Sequence, residues 1–96
     1  MGMKPLGQAQ NTNVAAAVSL AVLYGASVPA SADFCFIQCE SQDCRWRDDG
    51  VNPTAGVGQI LTAKDTLVLR RAQFAAFKII ETAASAKVNV SFYKTG

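Results

Sequence analysis

"SLAVLYGASVPASADFCF", residues 19–36, decides the fold, because it reads either as the end of a secretory leader or as the opening of a small β-domain. The leader reading rests on the apolar run Val14 to Ala26 and on Pro29-Ala30-Ser31-Ala32, a small-x-small site before Asp33. Against it stands the only early cation, Lys4, which Pro5 to Asn13 separate from the apolar run, too far to act as the charged start of a leader. A membrane-spanning helix needs about 20 mostly apolar residues, and Gly25 and Pro29 interrupt this run too early. Val18 to Tyr24 is β-branched and aromatic enough to favour a strand over the alternative, a helix, and Gly25 to Asp33 is small and polar enough to turn. The expectation is a chain with no cleaved signal peptide and no membrane contact.

At 96 residues the chain makes one small domain. Half of it is hydrophobic and only 17% charged, so part of its apolar surface is expected to meet another subunit. A net charge of +2, with cations gathered only in Arg45-Trp46-Arg47 and Arg70-Arg71, supplies no phosphate-tracking stripe and argues against a nucleic-acid partner. The three cysteines, Cys35, Cys39 and Cys44, cannot all pair within the chain; without an export signal they read as thiols. Their spacing lacks a C-x2-C knuckle and the chain has no histidine, so no metal and no cofactor is expected.

Outward from the opening stretch, Phe34 to Glu40 alternates as a strand, with Phe34, Phe36, Gln38 and Glu40 on one side and Cys35, Ile37 and Cys39 on the other. Ser41 to Asp43 turns, and Cys44 to Asp48 returns as a second arm. Asp48 to Gly58 is a loop rich in Asp, Asn, Pro and Gly. Thr66 to Arg70, Ala75 to Glu81 (a strand rather than a helix turn, by its β-branched Ile79-Ile80 pair) and Lys87 to Tyr93 complete the strands, the last with Val88, Val90 and Phe92 inward and Asn89 and Ser91 outward. The prediction is an all-β fold, a small β-sandwich or jelly-roll-like barrel of six to seven short antiparallel strands over residues 14–96. Its expected core includes Trp46, Ile37, Leu67, Leu69, Phe77, Val88, Val90 and Phe92. Residues 1–13, rich in Gly, Gln and Asn, are expected to form a flexible extended arm outside that domain.

The one concentration of chemistry is Arg45, Trp46, Arg47, Asp48 and Asp49. Asp48 and Asp49 are adjacent on a strand and point to opposite faces, which prevents them from flanking one bond as paired acid and base. Without histidine no Ser-His or Cys-His nucleophile forms, and the glycines of "TAGVG" open no phosphate-binding helix. No catalytic residue is therefore assigned. Arg45, Arg47, Asp48 and Asp49 either pair among themselves or with Glu40, or serve as an interface, for which Trp and Arg are suited. Gln8, Gln10, Asn11 and Asn13 of the arm are the other candidate interface residues.

The string "CRWRDDGVNPTAGVGQILTAKDTLVL", followed by "FAAFKIIE" and "AKVNVSFY", resembles a group of small virion proteins of tailed bacteriophages. That group is marked by an RWRDDG stretch, a following PT, a Gly-containing loop, a DTL strand and a closing AKxNVS strand. The resemblance covers roughly residues 34–93. This chain departs from the pattern in Cys35, Cys39 and Cys44, where aliphatic or small residues are usual, and in Gln59, where methionine is usual. It implies a non-enzymatic β-sandwich made in the host cytoplasm and carried in the virion: a capsid decoration or cement protein bound across capsid subunit junctions. Its implied partners are the major capsid protein and further copies of itself in a homo-oligomeric arrangement. A tail or head-tail accessory protein of the same fold is the alternative. A carbohydrate-binding module stacking sugar on Trp46 or Tyr93, with Asp49 and Asn52 as polar contacts, is the third reading.

Overall fold

A computed structural model describes residues 3–12 and 14–95. Among them are eight strands: β1 (Met3–Asn11), β2 (Val18–Ser19), β3 (Phe34–Cys39), β4 (Cys44–Arg47), β5 (Gln59–Leu61), β6 (Thr66–Arg70), β7 (Lys78–Glu81) and β8 (Val88–Thr95). They form two four-stranded sheets, ordered β1-β8-β3-β6 and β2-β7-β4-β5, and every pairing is antiparallel. The fold is the expected all-β sandwich. Its core takes Cys35, Ile37, Cys39, Leu69, Val88, Val90 and Phe92 from the first sheet and Cys44, Leu61 and Ile79 from the second, with Phe77 also fully buried. Burying these alternating side chains removes apolar area from water at about 25 cal/mol per Å², the main force holding the sheets together. Two expected core residues, Trp46 and Leu67, are only half-buried and pack against its margin.

Two expectations need correction. Residues 18–24 are not one strand: only Val18 and Ser19 pair, and Leu20–Tyr24 is a short helix, α1. The Ser19 side chain accepts from the Val22 N–H at 3.3 Å, and Gly25, at φ 80°, donates its N–H to Ala21 O at 2.9 Å. Ser at the N-cap and a left-handed Gly at the C-terminal end satisfy backbone groups that a strand would send to neighbours. Leu20 and Leu23, three apart, are buried while Val22 is 56% exposed, a helical and not an alternating pattern.

The second correction concerns the arm. Residues 3–11 are β1, an edge strand that belongs to the domain, registered on β8 from Met3 opposite Thr95 to Asn11 opposite Val88, with an irregularity between Pro5 and Gly7. Leu6 and Ala9 pack against the core. The remaining residues of the expected arm, Met1, Gly2 and Asn13, lie outside the described residues, apart from Thr12, which follows β1. Gly7 lets β1 pass close to Tyr24, since a Cβ there would overlap Tyr24 Oη and sit 3.1 Å from Cζ. Tyr24 cannot simply swing away, because its ring packs edge-on to Phe92 at 4.9 Å. Gly7→Ala is expected to destabilise by about 1–3 kcal/mol, and adding Tyr24→Phe to recover much of it, read by urea unfolding of the three proteins.

Asp33, just before β3, ties down the end of β8. Its Oδ2 accepts from the Thr95 N–H at 3.0 Å and the Thr95 hydroxyl at 2.9 Å, and its Oδ1 from Arg71 at 3.2 Å. The Thr95 bonds, with Arg71 and Lys94 adding smaller attractions, hold the Asp33 carboxyl below its ordinary 3.8. The Arg47 side chain does the same to Asp49, pushed down to about 2. Because both folded values lie below the unfolded ones, their stabilisation is full above about pH 4 and is lost as pH falls through the folded values. The melting temperature should therefore fall between about pH 4 and pH 2. In Asp33→Asn with Asp49→Asn that acid limb should be shallower; an unchanged limb would remove both carboxylates from the account.

Candidate binding face

The strand order β1-β8-β3-β6 lines up the outward side chains of four strands in three rows. Gln10, Asn89, Gln38 and Thr66 form the first, and Gln8, Ser91, Phe36 and Val68 the second. Pro5, Tyr93, Phe34 and Arg70 form the third. The face follows from alternation: with Ile37, Val90 and Leu69 turned to the core, Phe36, Asn89, Ser91 and Val68 must turn out.

One half of this face is polar. Gln10 Nε2 donates to Glu40 Oε2 at 2.7 Å and to Asn89 Oδ1 at 2.9 Å, while Asn89 Nδ2 donates to the same Glu40 oxygen at 2.9 Å. This triangle fixes the amide orientations and pins β1 to β8 and the end of β3. Gln38 Nε2 donates to Lys64 O at 3.1 Å. The other half is aromatic. Phe36 and Tyr93 have ring centroids 5.1 Å apart, and the Arg70 guanidinium carbon is 5.4 Å from the Phe34 centroid, within the range of cation–π attraction. Val68 is 49% exposed beside them. Between the two halves lies an open depression of about 480 Å³, lined by Gln8, Gln10, Phe36, Gln38, Asn89 and Ser91 among others. Aromatic anchors beside fixed amides suit recognition of a partner surface.

The RWRDDG cluster lies on the other sheet, where its groups serve its own loop. Arg45 donates from Nε to Ala55 O at 3.3 Å and from Nη1 to Gly58 O at 2.9 Å. Arg47 makes a two-pronged ion pair with Asp49, whose Oδ1 also accepts from Val51 N–H at 3.3 Å. Asp48 accepts from Gln73 Nε2 at 2.9 Å. Trp46 stacks against Phe77 at 5.9 Å. Arg45, Arg47, Asp48 and Asp49 thus brace loop 48–58 and join it to the turn at Arg71–Gln73.

Of the other candidates, Gln8 and Gln10 stand on the binding face; Asn11 Nδ2 reaches Val22 O at 3.5 Å, tying β1 to α1; Asn13 lies outside the described residues. Of the sugar-stacking residues, Trp46 lies on β4 with Asp49 and Asn52 in the loop that follows it, while Tyr93 lies on β8 of the other sheet. Phe36, Gln38, Asn89 and Ser91 were not singled out by sequence; their outward alternation was visible, but their meeting across strands was not. Among the described residues no three His, Cys, Asp or Glu side chains group to hold a metal ion, and no helix is long and apolar enough to cross a membrane. No protein-family model, curated protein or solved structure matches the chain.

Proposed function

We propose that the chain is a non-enzymatic structural protein of a tailed-bacteriophage particle, a decoration or cement protein that binds across capsid subunit junctions through the outer face of the β1-β8-β3-β6 sheet. The observation that carries this reading is the composition of that face: paired aromatics beside amides already fixed in orientation, spread over an open surface. Such a face recognises by burial and hydrogen bonding. The resemblance in RWRDDG, DTL and AKxNVS supplies the virion context, and its last motif contributes Asn89 and Ser91 to the centre of the face. Many copies on a symmetric shell gain avidity even when each contact is modest. A tail or head-tail accessory protein would use the same face, and its place on the particle separates it from the capsid reading.

The test adds purified protein to phage particles made without it and measures the sedimenting copy number. Saturable binding is expected for the unmodified chain. Phe36→Lys should lower affinity at least about tenfold, the effect of losing an interface aromatic, with its melting temperature followed in parallel. Arg47→Ala with Asp49→Ala should bind as the unmodified chain does. Loss of binding in the Arg47 and Asp49 variant with retention in Phe36→Lys would transfer the interface to the second sheet.

A further inference from the structure

We infer that Cys39 and Cys44 form an oxidisable pair that a small-molecule disulfide converts to an intrachain disulfide, joining the two sheets of the sandwich at the corner where the chain passes from one to the other. Cys39 ends β3 in the first sheet and Cys44 opens β4 in the second, with Glu40 to Asp43 between them. Both are free and fully buried, and their Sγ atoms lie 2.6 Å apart. Unbonded heavy atoms rest at about 3.5–4.0 Å, whereas a covalent S–S bond is about 2.05 Å, so the two sulfurs sit nearer to bonding than to non-bonded separation. Cys35 is excluded from the pair: it sits on the same strand face four residues before Cys39, about 13 Å away along a strand, beyond the reach of a disulfide.

The two thiols differ in reactivity. The Cys39 S–H donates to the Cys44 sulfur, which lowers Cys44 and raises Cys39 from the ordinary thiol value; burial pushes Cys35 up to about 12. Cys44 is therefore the attacking thiolate. It displaces one thiolate from the external disulfide, giving a mixed disulfide at Cys44. Cys39 then loses its proton and attacks the Cys44 sulfur, expelling the second thiolate. Two cysteine thiols are oxidised, one external disulfide is reduced to two thiols, and the two cysteine protons end on those thiols. Access requires the corner to open, because Ser41 and Gln42 side chains bond to Ser85 O and Ala84 O, and Asp43 accepts from Ala63 N–H and from Thr82.

The full chain is unfolded in urea and refolded in a buffer of reduced and oxidised glutathione, so that burial does not limit access. It is then acid-quenched, denatured, alkylated without reductant and weighed. The expected product is 2 Da lighter than the reduced chain before alkylation and takes one alkyl group. Cleavage after Glu40 should leave the Cys39 and Cys44 peptides linked until reductant is added. Cys35→Ser should form the same link and take no alkyl group, whereas Cys39→Ser should carry glutathione on Cys44 or keep two alkylated thiols. The oxidised chain should melt higher than the reduced one by roughly 5–10 °C, as closing even a short loop implies. Three alkylated thiols after refolding under oxidised glutathione, or a link that survives in Cys39→Ser, would overturn the inference.

Discussion

Removing residues 3–11 is expected to destabilise the domain to the edge of unfolding. β1 is registered along the whole of β8, the eight-residue strand between β1 and β3, so its loss turns an interior strand into a bare edge. The ladder bonds contribute about 0.5–1.5 kcal/mol each. To these are added the apolar contacts of Leu6 and Ala9 and the bonds from Gln10 to Asn89 and Glu40. Together they amount to several kcal/mol, against a total of about 5–15 kcal/mol for a domain of ordinary stability. At about 4–8 °C per kcal/mol for a chain of this size, the melting transition should drop by more than about 20 °C or disappear. The freed β8 edge should promote association. Circular-dichroism melting and size-exclusion chromatography of the truncated chain check this. A transition within a few degrees of the full chain would mean that β1 is a detachable arm, as its polar composition suggests.

Phe92→Ala should cost about 3–5 kcal/mol, enough to leave a marginal domain largely unfolded. Phe92 is completely buried on β8, with Tyr24 edge-on at 4.9 Å and Phe74 at 5.8 Å; each aromatic pair adds about 0.5–1.5 kcal/mol beyond the area it buries. Phe36 gives the contrast. It lies on adjacent β3 opposite Ser91 but faces outward, half-buried against Tyr93. Phe36→Ala should cost about 1–2 kcal/mol, the value of a half-buried ring and one aromatic pair. Urea unfolding of both variants measures the difference. Equal costs would put the two rings on the same side of the sheet and contradict the alternation on which the binding face rests.

Where alternation was strong, the sequence was readable. β3, β6 and β8 carry Cys35-Ile37-Cys39, Leu67-Leu69 and Val88-Val90-Phe92 on one face, and their bounds lie within two residues of expectation. β1 was missed because an edge strand needs little apolar surface: Leu6 and Ala9 are the apolar side chains it packs against the core, its Gly, Gln and Asn content read as flexible, and an edge also tolerates Pro5. β5 was hidden because Gln59-Ile60-Leu61 follows a Gly-rich loop and pairs for only three residues. In α1 the strand propensity of Val22 and Tyr24 outweighed the cap signals of Ser19 and Gly25. The binding face depended on long-range pairing. Gln10 and Asn89 are 79 positions apart and hydrogen-bonded, and no local pattern announces that. The RWRDDG cluster was legible as a concentration of chemistry, but not its partners: Arg47 pairs with Asp49, Arg45 donates to loop carbonyls and Asp48 accepts from the distant Gln73.

The most direct measurement is the image of a phage particle reconstituted with this chain, at a resolution that separates the two sheets. The expected image is a two-sheet body repeated at symmetric positions over capsid subunit junctions, with Phe36, Asn89 and Ser91 buried against the shell and the Arg47–Asp49 loop in solvent. Particles carrying no such density, or a body seated with the Arg47–Asp49 loop against the shell and the Phe36 face open, would contradict it.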